Sequence, residues 1–287
     1  MTFAAGSVDR PVLPRSSNKP VQATALLAAG WSPRSQAELA IGAGSHNGED
    51  GHRDLAAAML DAAGLDADDL SCPPALPQHE TTKAVWIAAD RKPERLAMNC
   101  SGKHAAMLAA CVAAGWPTAS YLERDHPLQQ AIEARLAEAA GEPVTAVVVD
   151  GCGAPQHALS VTGLARGVLS LVQAPEGSRD RSVADAMRAQ PWFVAGTGRE
   201  DTDLMRAVPG LLVKGGADGV HVAALPGRGA VALKMDDGGE RGRTPALSAA
   251  LVHLGVPPEV LAPWLLTPVT GGDAVVGEVR AAGLLRG

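Results

Sequence analysis

The sequence predicts an α+β fold: an antiparallel sheet flanked by helices, with a further helical region. Three observations carry this. Apolar residues recur at helical spacing through the first two thirds of the chain. Short β-branched runs separated by glycines cluster late. The composition, 46% hydrophobic and 20% charged over 287 residues, is that of a globular chain with enough material for a buried core. With aromatics at 3%, that core must be built from Ala, Val and Leu.

Residues 1–15 read as irregular, because Pro11 and Pro14 interrupt any element. A helix begins at Ser17, with Val21, Ala25, Leu26 and Leu27 on its apolar side, Pro20 in its first turn and Gly30 at its end. Gln36–Ala43 reads as a short helix, Ser45–Gly51 as a polar loop and Arg53–Ala63 as an amphipathic helix stopped by Gly64. Three prolines make 71–79 a loop, and Thr81–Asp90 is a short helix. An alanine-rich helix follows Asn99 and runs to Ala114, and another covers Leu128–Ala140. Val144–Val149 is a β-branched run expected as a buried strand, emptying into a turn with Gly151 and Gly153. Helices are expected at Leu159–Val172 and Ser182–Gln190. Leu211–Lys214, Gly219–Ala224 and Ala230–Met235 form a three-stranded meander, closed by a helix from Pro245 to Leu254.

A net charge of −6 and a pI near 5.7 argue against nucleic-acid binding, which needs a basic stripe and, for bases, stacking aromatics. No apolar run reaches the ~18 residues that span a bilayer. Met1–Arg10 carries Asp9 and no apolar stretch of the signal-peptide kind. The expectation is a cytoplasmic protein without a membrane partner. Four cysteines, Cys72, Cys100, Cys111 and Cys152, are too few to staple a secreted scaffold of this length, so reduced thiols are expected.

Two groups of residues can carry chemistry. Ser16-Ser17-Asn18-Lys19 places an amine three residues from a hydroxyl at a helix start. A neutral lysine can serve as base to a serine nucleophile. A serine there is equally an ordinary helix cap, and about 0.3 such matches arise by chance in this composition. Ser45-His46-Asn47 and Lys214-Gly215-Gly216 follow in the order known from penicillin-recognising serine hydrolases. The second group is Cys100-Ser101-Gly102-Lys103-His104 with Asp150-Gly151-Cys152. If the two turns meet, thiols, an amine, an imidazole and a carboxylate converge, which suits zinc. Two buried thiols at glycine turns is the plainer reading.

Taken with Pro14–Gln22, Ala43–Glu49, Asn99–Ala105, Asp150–Pro155, Val194–Arg199, Val213–Gly219 and Ala232–Gly238, these segments resemble the serine–lysine L-asparaginases of the rhizobial type, the asparaginase II family. The resemblance runs from about Pro11 to the C-terminus. It implies a β-lactamase- and glutaminase-like fold, one catalytic domain over 1–287, and hydrolysis of L-asparagine to L-aspartate and ammonia. It implies catalytic pairs Ser16 with Lys19 and Ser45 with Lys214, and a substrate pocket lined by Arg15, Asn99, His104, Asp150 and Gly215. A zinc ion would be held by Cys100, Lys103 and Cys152, and the enzyme would be a homodimer. Rival readings are a glutaminase or β-lactam hydrolase on the same fold, and a zinc-binding protein without activity. Two departures stand out. Family members usually carry a longer N-terminal segment that supplies a strand, so here either the start is shortened or the sheet loses an edge strand. Asn47 stands where a serine is expected after Ser45-His46.

Overall fold

The computed structural model describes residues 3–283, and helices dominate it. The chain enters through strand β1 (Pro11–Val12) and a tight 3-10 turn, Arg15–Asn18, which leads directly into α1 (Lys19–Ala28). Then come α2 (Gln36–Gly42), α3 (Asp50–Ala62), α4 (Glu80–Ala88), α5 (Ser101–Ala114) and α6 (Pro127–Ala140). A short ribbon, β2 (Val147–Val149) with β3 (Pro155–His157), precedes β4 (Leu159–Ser160). Helices α7 (Val161–Gln173), α8 (Arg179–Ala189), α9 (Pro191–Val194) and α10 (Glu200–Ala207) lead to β5 (Leu212–Gly215), β6 (Val220–Leu225) and β7 (Gly229–Lys234). The described chain closes with α11 (Arg243–His253), α12 (Pro258–Leu261) and the hairpin β8 (Leu266–Gly271) with β9 (Ala274–Arg280).

Helix α5 is the core of the helical region. It packs against α1, α2, α3 and α6, and from Ser101 to Leu108 every residue is buried. Small side chains permit this crowding. A methyl group on Gly102 would come within 2.6 Å of Ile41 Cγ1 and 2.9 Å of the Ile41 carbonyl oxygen. Gly102 therefore sets how closely α5 approaches the end of α2. Gly115 and Gly141 stop α5 and α6 in the left-handed conformation, where a glycine has no Cβ penalty.

The three-stranded sheet β5–β6–β7 is antiparallel, with Lys214 opposite Val222 and Gly215 opposite His221. All six residues of β6 are buried. Both α7 and α11 pack on β6 and β7, so each face of the sheet is covered. This is the predicted α+β arrangement, with the meander where the glycine spacing put it.

Several boundaries differ from the sequence expectation. Ser16 lies inside the 3-10 turn rather than at a helix cap, and α1 begins at Lys19. The run expected as a buried strand at Val144–Val149 pairs only over Val147–Val149, and Val149 is 76% exposed. It is half of a two-stranded ribbon, and β-branched residues there satisfy a pleat without being covered. Leu159 and Ser160 pair with β1 instead of opening α7, and the Ser160 hydroxyl caps that helix. Helix α8 starts at Arg179, where Ser178 is the cap. Helix α10 and the β8–β9 hairpin were not expected. Among the described residues no helix is long and apolar enough to cross a membrane.

The close approach at Gly102 yields a prediction. Gly102→Ala should destabilise the fold by about 1–3 kcal/mol, as overpacking does, read as a lower urea midpoint at unchanged slope. An unchanged midpoint would show that α2 and α5 can separate freely.

Candidate active site

The 3-10 turn and the start of α1 deliver Lys19 into the interior, where it is 1% exposed. Its amine has three neighbours: the Gly44 carbonyl at 2.7 Å, the Ser45 hydroxyl at 2.7 Å and the Cys100 sulfur at 3.0 Å. An ammonium has three protons to give, and three acceptors surround it. A neutral amine has a lone pair as well, and the Ser45 O–H or the Cys100 S–H can donate to it. The contact with Ser45 can therefore run in either direction.

The loop carrying Ser45 is locked from several sides. Ser45 N–H donates to the Val194 carbonyl at 2.7 Å, and a Cβ on Gly44 would fall 2.8 Å from that same oxygen. His46 is fully buried. Its Nδ1 accepts from Gly48 N–H at 3.2 Å, and its Nε2 meets the Ser101 hydroxyl at 3.0 Å. That hydroxyl donates to the Leu96 carbonyl at 2.8 Å, so Nε2 carries the proton and the ring is neutral. The Asn47 carbonyl accepts from both Gln78 and His79 N–H, and its side-chain amide donates to the Thr197 carbonyl at 3.2 Å. Glu49 then takes the Thr197 N–H and hydroxyl, each at 2.8 Å. A Cβ on Gly196 would land 2.2 Å from Asn47 Oδ1, so Asn47 fits only against a glycine.

Strand β5 brings Lys214 to the same region. Its amine donates to the Gly215 carbonyl at 2.7 Å and lies 3.6 Å from Asp201 Oδ2. Burial pushes this amine down to about 8; Asp201 opposes the shift, while Lys19 and Arg199 add to it. Ser17 donates to the Lys214 carbonyl at 3.1 Å, tying the strand to the 3-10 turn. A Cβ on Gly216 would meet the Pro14 carbonyl at 2.7 Å and Ser17 Oγ at 2.8 Å, which accounts for the glycine pair after Lys214.

The serine–lysine pairing differs from the expected one. Lys19 bonds Ser45, whereas Ser16, half-buried, makes no side-chain hydrogen bond among the described residues. No hydrogen bond joins Lys214 to Ser45 among those residues; its partners are Gly215 and Asp201. The physical reason is the course of the turn. Lys19 points inward from the start of α1 while Ser16 lies on the partly exposed side.

Arg15 reaches out of the turn to join the other expected substrate residues. Its Nε donates to Asp150 Oδ1 at 2.8 Å, and its guanidinium also pairs with Asp218. Arg15 and Asp218 both hold positive φ, 51° and 58°, a conformation that costs a non-glycine residue of order 1 kcal/mol. Asp150 is further tied to Asn18 through Gln156, with contacts of 3.4 and 3.0 Å. Gly215 ends β5 beside Asp201, and Asn99 accepts from the Cys100 thiol at 3.1 Å. His104 is fully buried, with Nδ1 2.7 Å from the Tyr121 hydroxyl. Its Nε2 is buried without a hydrogen-bond partner, and burial pushes the imidazole down to about 4.

Cys100 and Cys152 are buried side by side with Ala154. Lys103 donates to the Cys152 sulfur at 3.2 Å. The neighbouring Cys100 lowers the Cys152 thiol and is itself raised, with Lys103 helping to hold Cys152 as thiolate. Two sulfurs, one favoured as thiolate, and an amine are thus gathered in one buried place. Thiolates are zinc donors, and an amine joins them only once it has given up its proton. Among the described residues no three His, Cys, Asp or Glu side chains gather as a metal site, so a zinc ion held here would take Lys103 as its third protein donor. Cys72 and Cys111 are also buried and free, and burial raises each thiol to about 11.

Asp201 and His221 had no place in the sequence reading. Both are buried, and His221 Nε2 meets Asp201 Oδ1 at 2.8 Å. Asp201 lies two residues beyond the Val194–Arg199 segment, and only the fold brings it to Lys214.

The family model described as L-asparaginase II matches residues 1–281, nearly the whole chain. No curated protein matches it.

Two neutral imidazoles outside the thiol cluster couple stability to pH. His46 is pushed well down by burial, and His157 to about 4. Unfolded histidine titrates near 6.5, so both contributions are complete above that value and are lost as pH falls below it. Between about pH 6 and pH 5 His157 should cost about 1 kcal/mol per pH unit, and His46 adds to the loss in the same direction. His157→Gln should reduce the slope of unfolding free energy against pH by about 1 kcal/mol per pH unit. An unchanged slope would mean that His157 takes up its proton in the folded state.

Proposed function

The chain belongs to the L-asparaginase II family, and on that premise we propose that it hydrolyses the side-chain amide of L-asparagine to L-aspartate and ammonia. The observation that carries the reading is the buried Lys19 amine set among serines, 2.7 Å from the Ser45 hydroxyl and three residues from Ser16. A serine becomes a nucleophile only when a base takes its proton, and Lys19 is the base this site offers.

In this reading Ser16 attacks the amide carbon. Its half-buried hydroxyl, not held by another group among the described residues, is free to meet a substrate. Its proton passes to Lys19 when substrate closes the gap between them. Ser45, already bonded to Lys19, returns a proton to the departing nitrogen, so the C–N bond breaks and ammonia leaves. Water then attacks the acyl carbon, and Ser16 regains its proton. Lys214 supplies positive charge beside this relay. Arg15, Asp150, Asn99 and Gly215 line the pocket, with Arg15 suited to the substrate's α-carboxylate. His104 acts from beneath it, against Tyr121. Cys100, Lys103 and Cys152 would hold a zinc ion, which when bound would fix the substrate by neutralising charge nearby. The helix-covered sheet is read as kin to serine β-lactamases and glutaminases, and 1–287 as one catalytic domain working as a cytoplasmic homodimer.

The direct contact with Lys19 favours a second reading, in which Ser45 is the nucleophile. Ammonia release from asparagine by the two alanine variants separates them. Ser16→Ala should lower kcat about 1,000-fold and Ser45→Ala about 10- to 100-fold. The reverse order assigns the attack to Ser45. Wild-type protein that releases no ammonia from asparagine contradicts the function itself, and faster turnover of glutamine or a β-lactam would move it to those substrates.

The metal site has a separate test. Cys100→Ser with Cys152→Ser should remove bound zinc from the purified protein, measured by elemental mass spectrometry, and raise KM for asparagine. Zinc content equal to wild type would place the metal elsewhere.

A further inference from the structure

We propose that Asp201 is the positioning residue for Lys214: a buried carboxylate, supported by His221, that fixes the lysine's charge and place at the end of β5. This rests on Lys214 serving the relay described above.

Asp201 opens the first turn of α10 and is 6% exposed. Both of its oxygens are used. Oδ2 accepts the Gly215 N–H at 2.8 Å and faces the Lys214 amine at 3.6 Å. Oδ1 meets His221 Nε2 at 2.8 Å. Gly215 and His221 are register partners across β5 and β6, so one carboxylate ties together both strands where Lys214 emerges. A Cβ on Gly215 would stand 3.2 Å from Asp201 Oδ1, which leaves little room for the clamp to shift.

The 3.6 Å separation decides what the carboxylate does. It exceeds a hydrogen bond, so Asp201 neutralises the lysine without occupying its protons. One of those goes to the Gly215 carbonyl, and the amine is left able to address a second group. The charges bearing on Lys214 are Asp201, Lys19, Arg199 and Cys100. Two of the four are basic groups that oppose its charge, and Asp201 is the principal counter-charge. His221 is the support. Its Nδ1 is buried without a partner, and its Nε2–H donates to the carboxylate.

This geometry makes Asp201→Asn an unusually clean probe. The amide keeps the shape, and its oxygen can still accept from Gly215. Its NH2 can donate to His221 Nε2 when the ring carries its proton on Nδ1. The charge is lost while the same partners stay within reach. A purely structural Asp201 would tolerate the change, whereas a charge-positioning one would not.

The experiment measures asparagine turnover and thermal unfolding of the full-length wild type, Asp201→Asn and His221→Gln. Wild-type activity comes first, because its absence would refute the functional reading and not this one. With active wild type, Asp201→Asn should lower kcat at least tenfold, leave KM within threefold and shift Tm by only a few degrees. Asp201→Asn with kcat within twofold of wild type overturns the proposal, as does a loss confined to KM. If Asp201→Asn does not fold, His221→Gln decides. It removes one anchor of the carboxylate, and kcat should fall three- to tenfold at near-constant KM. Unchanged kcat there overturns the proposal too.

Discussion

A buried amine must be satisfied on every side, and the site is organised around that requirement at Lys19. An unpartnered charge in the interior costs several kcal/mol. Here the carbonyl of Gly44, the hydroxyl of Ser45 and the sulfur of Cys100 each approach within 3.0 Å. Those partners come from two separate segments, the loop after α2 and the turn before α5, and they meet an amine delivered by the start of α1. None can move alone without leaving a donor or acceptor unpaired. The fold is therefore pinned at the place where the chemistry is proposed, and the same three contacts decide which hydroxyl can exchange a proton with the amine.

Close backbone approaches make this convergence possible. Gly44 lies against the Val194 carbonyl, Gly102 against Ile41 and Gly216 against Pro14. Each of these glycines sits in or beside a segment that carries a site residue: Ser45, Lys103 and Lys214. A side chain at any of them would push apart the elements that meet at the amines. Alanine does the same service along α5, which packs on four neighbouring helices. A protein with little aromatic material thus reaches interior density through proximity rather than bulk.

Much of this is readable from the residues. Glycine punctuation located the meander β5–β6–β7, and helical spacing located α1 to α6 to within a few residues. The segments around Ser45, Cys100, Cys152 and Lys214 stood out because unusual side chains sit among glycines, and Ser16 because Lys19 stands three residues on. Pairing was less legible. Local spacing pointed Lys19 at Ser16 and said nothing of Ser45, 26 residues on; the 3-10 turn at Arg15–Asn18 brings the amine to Ser45 instead. Asp201 was invisible because its meaning is tertiary: an acidic residue in the first turn of a helix is ordinary, and only the sheet register carries Lys214 and His221 to it. The exposed valines of β2 show the opposite error, since a β-branched run fits a pleat whether or not anything covers it.

The central claim is that a serine served by Lys19 forms a covalent intermediate. Acid quenching of the enzyme during turnover of asparagine, followed by peptide mass mapping, tests it most directly. The account predicts an aspartyl ester on Ser16, abolished in Lys19→Met. An aspartyl ester elsewhere than Ser16 or Ser45, or rapid turnover with no covalent adduct at any quench time, would contradict it.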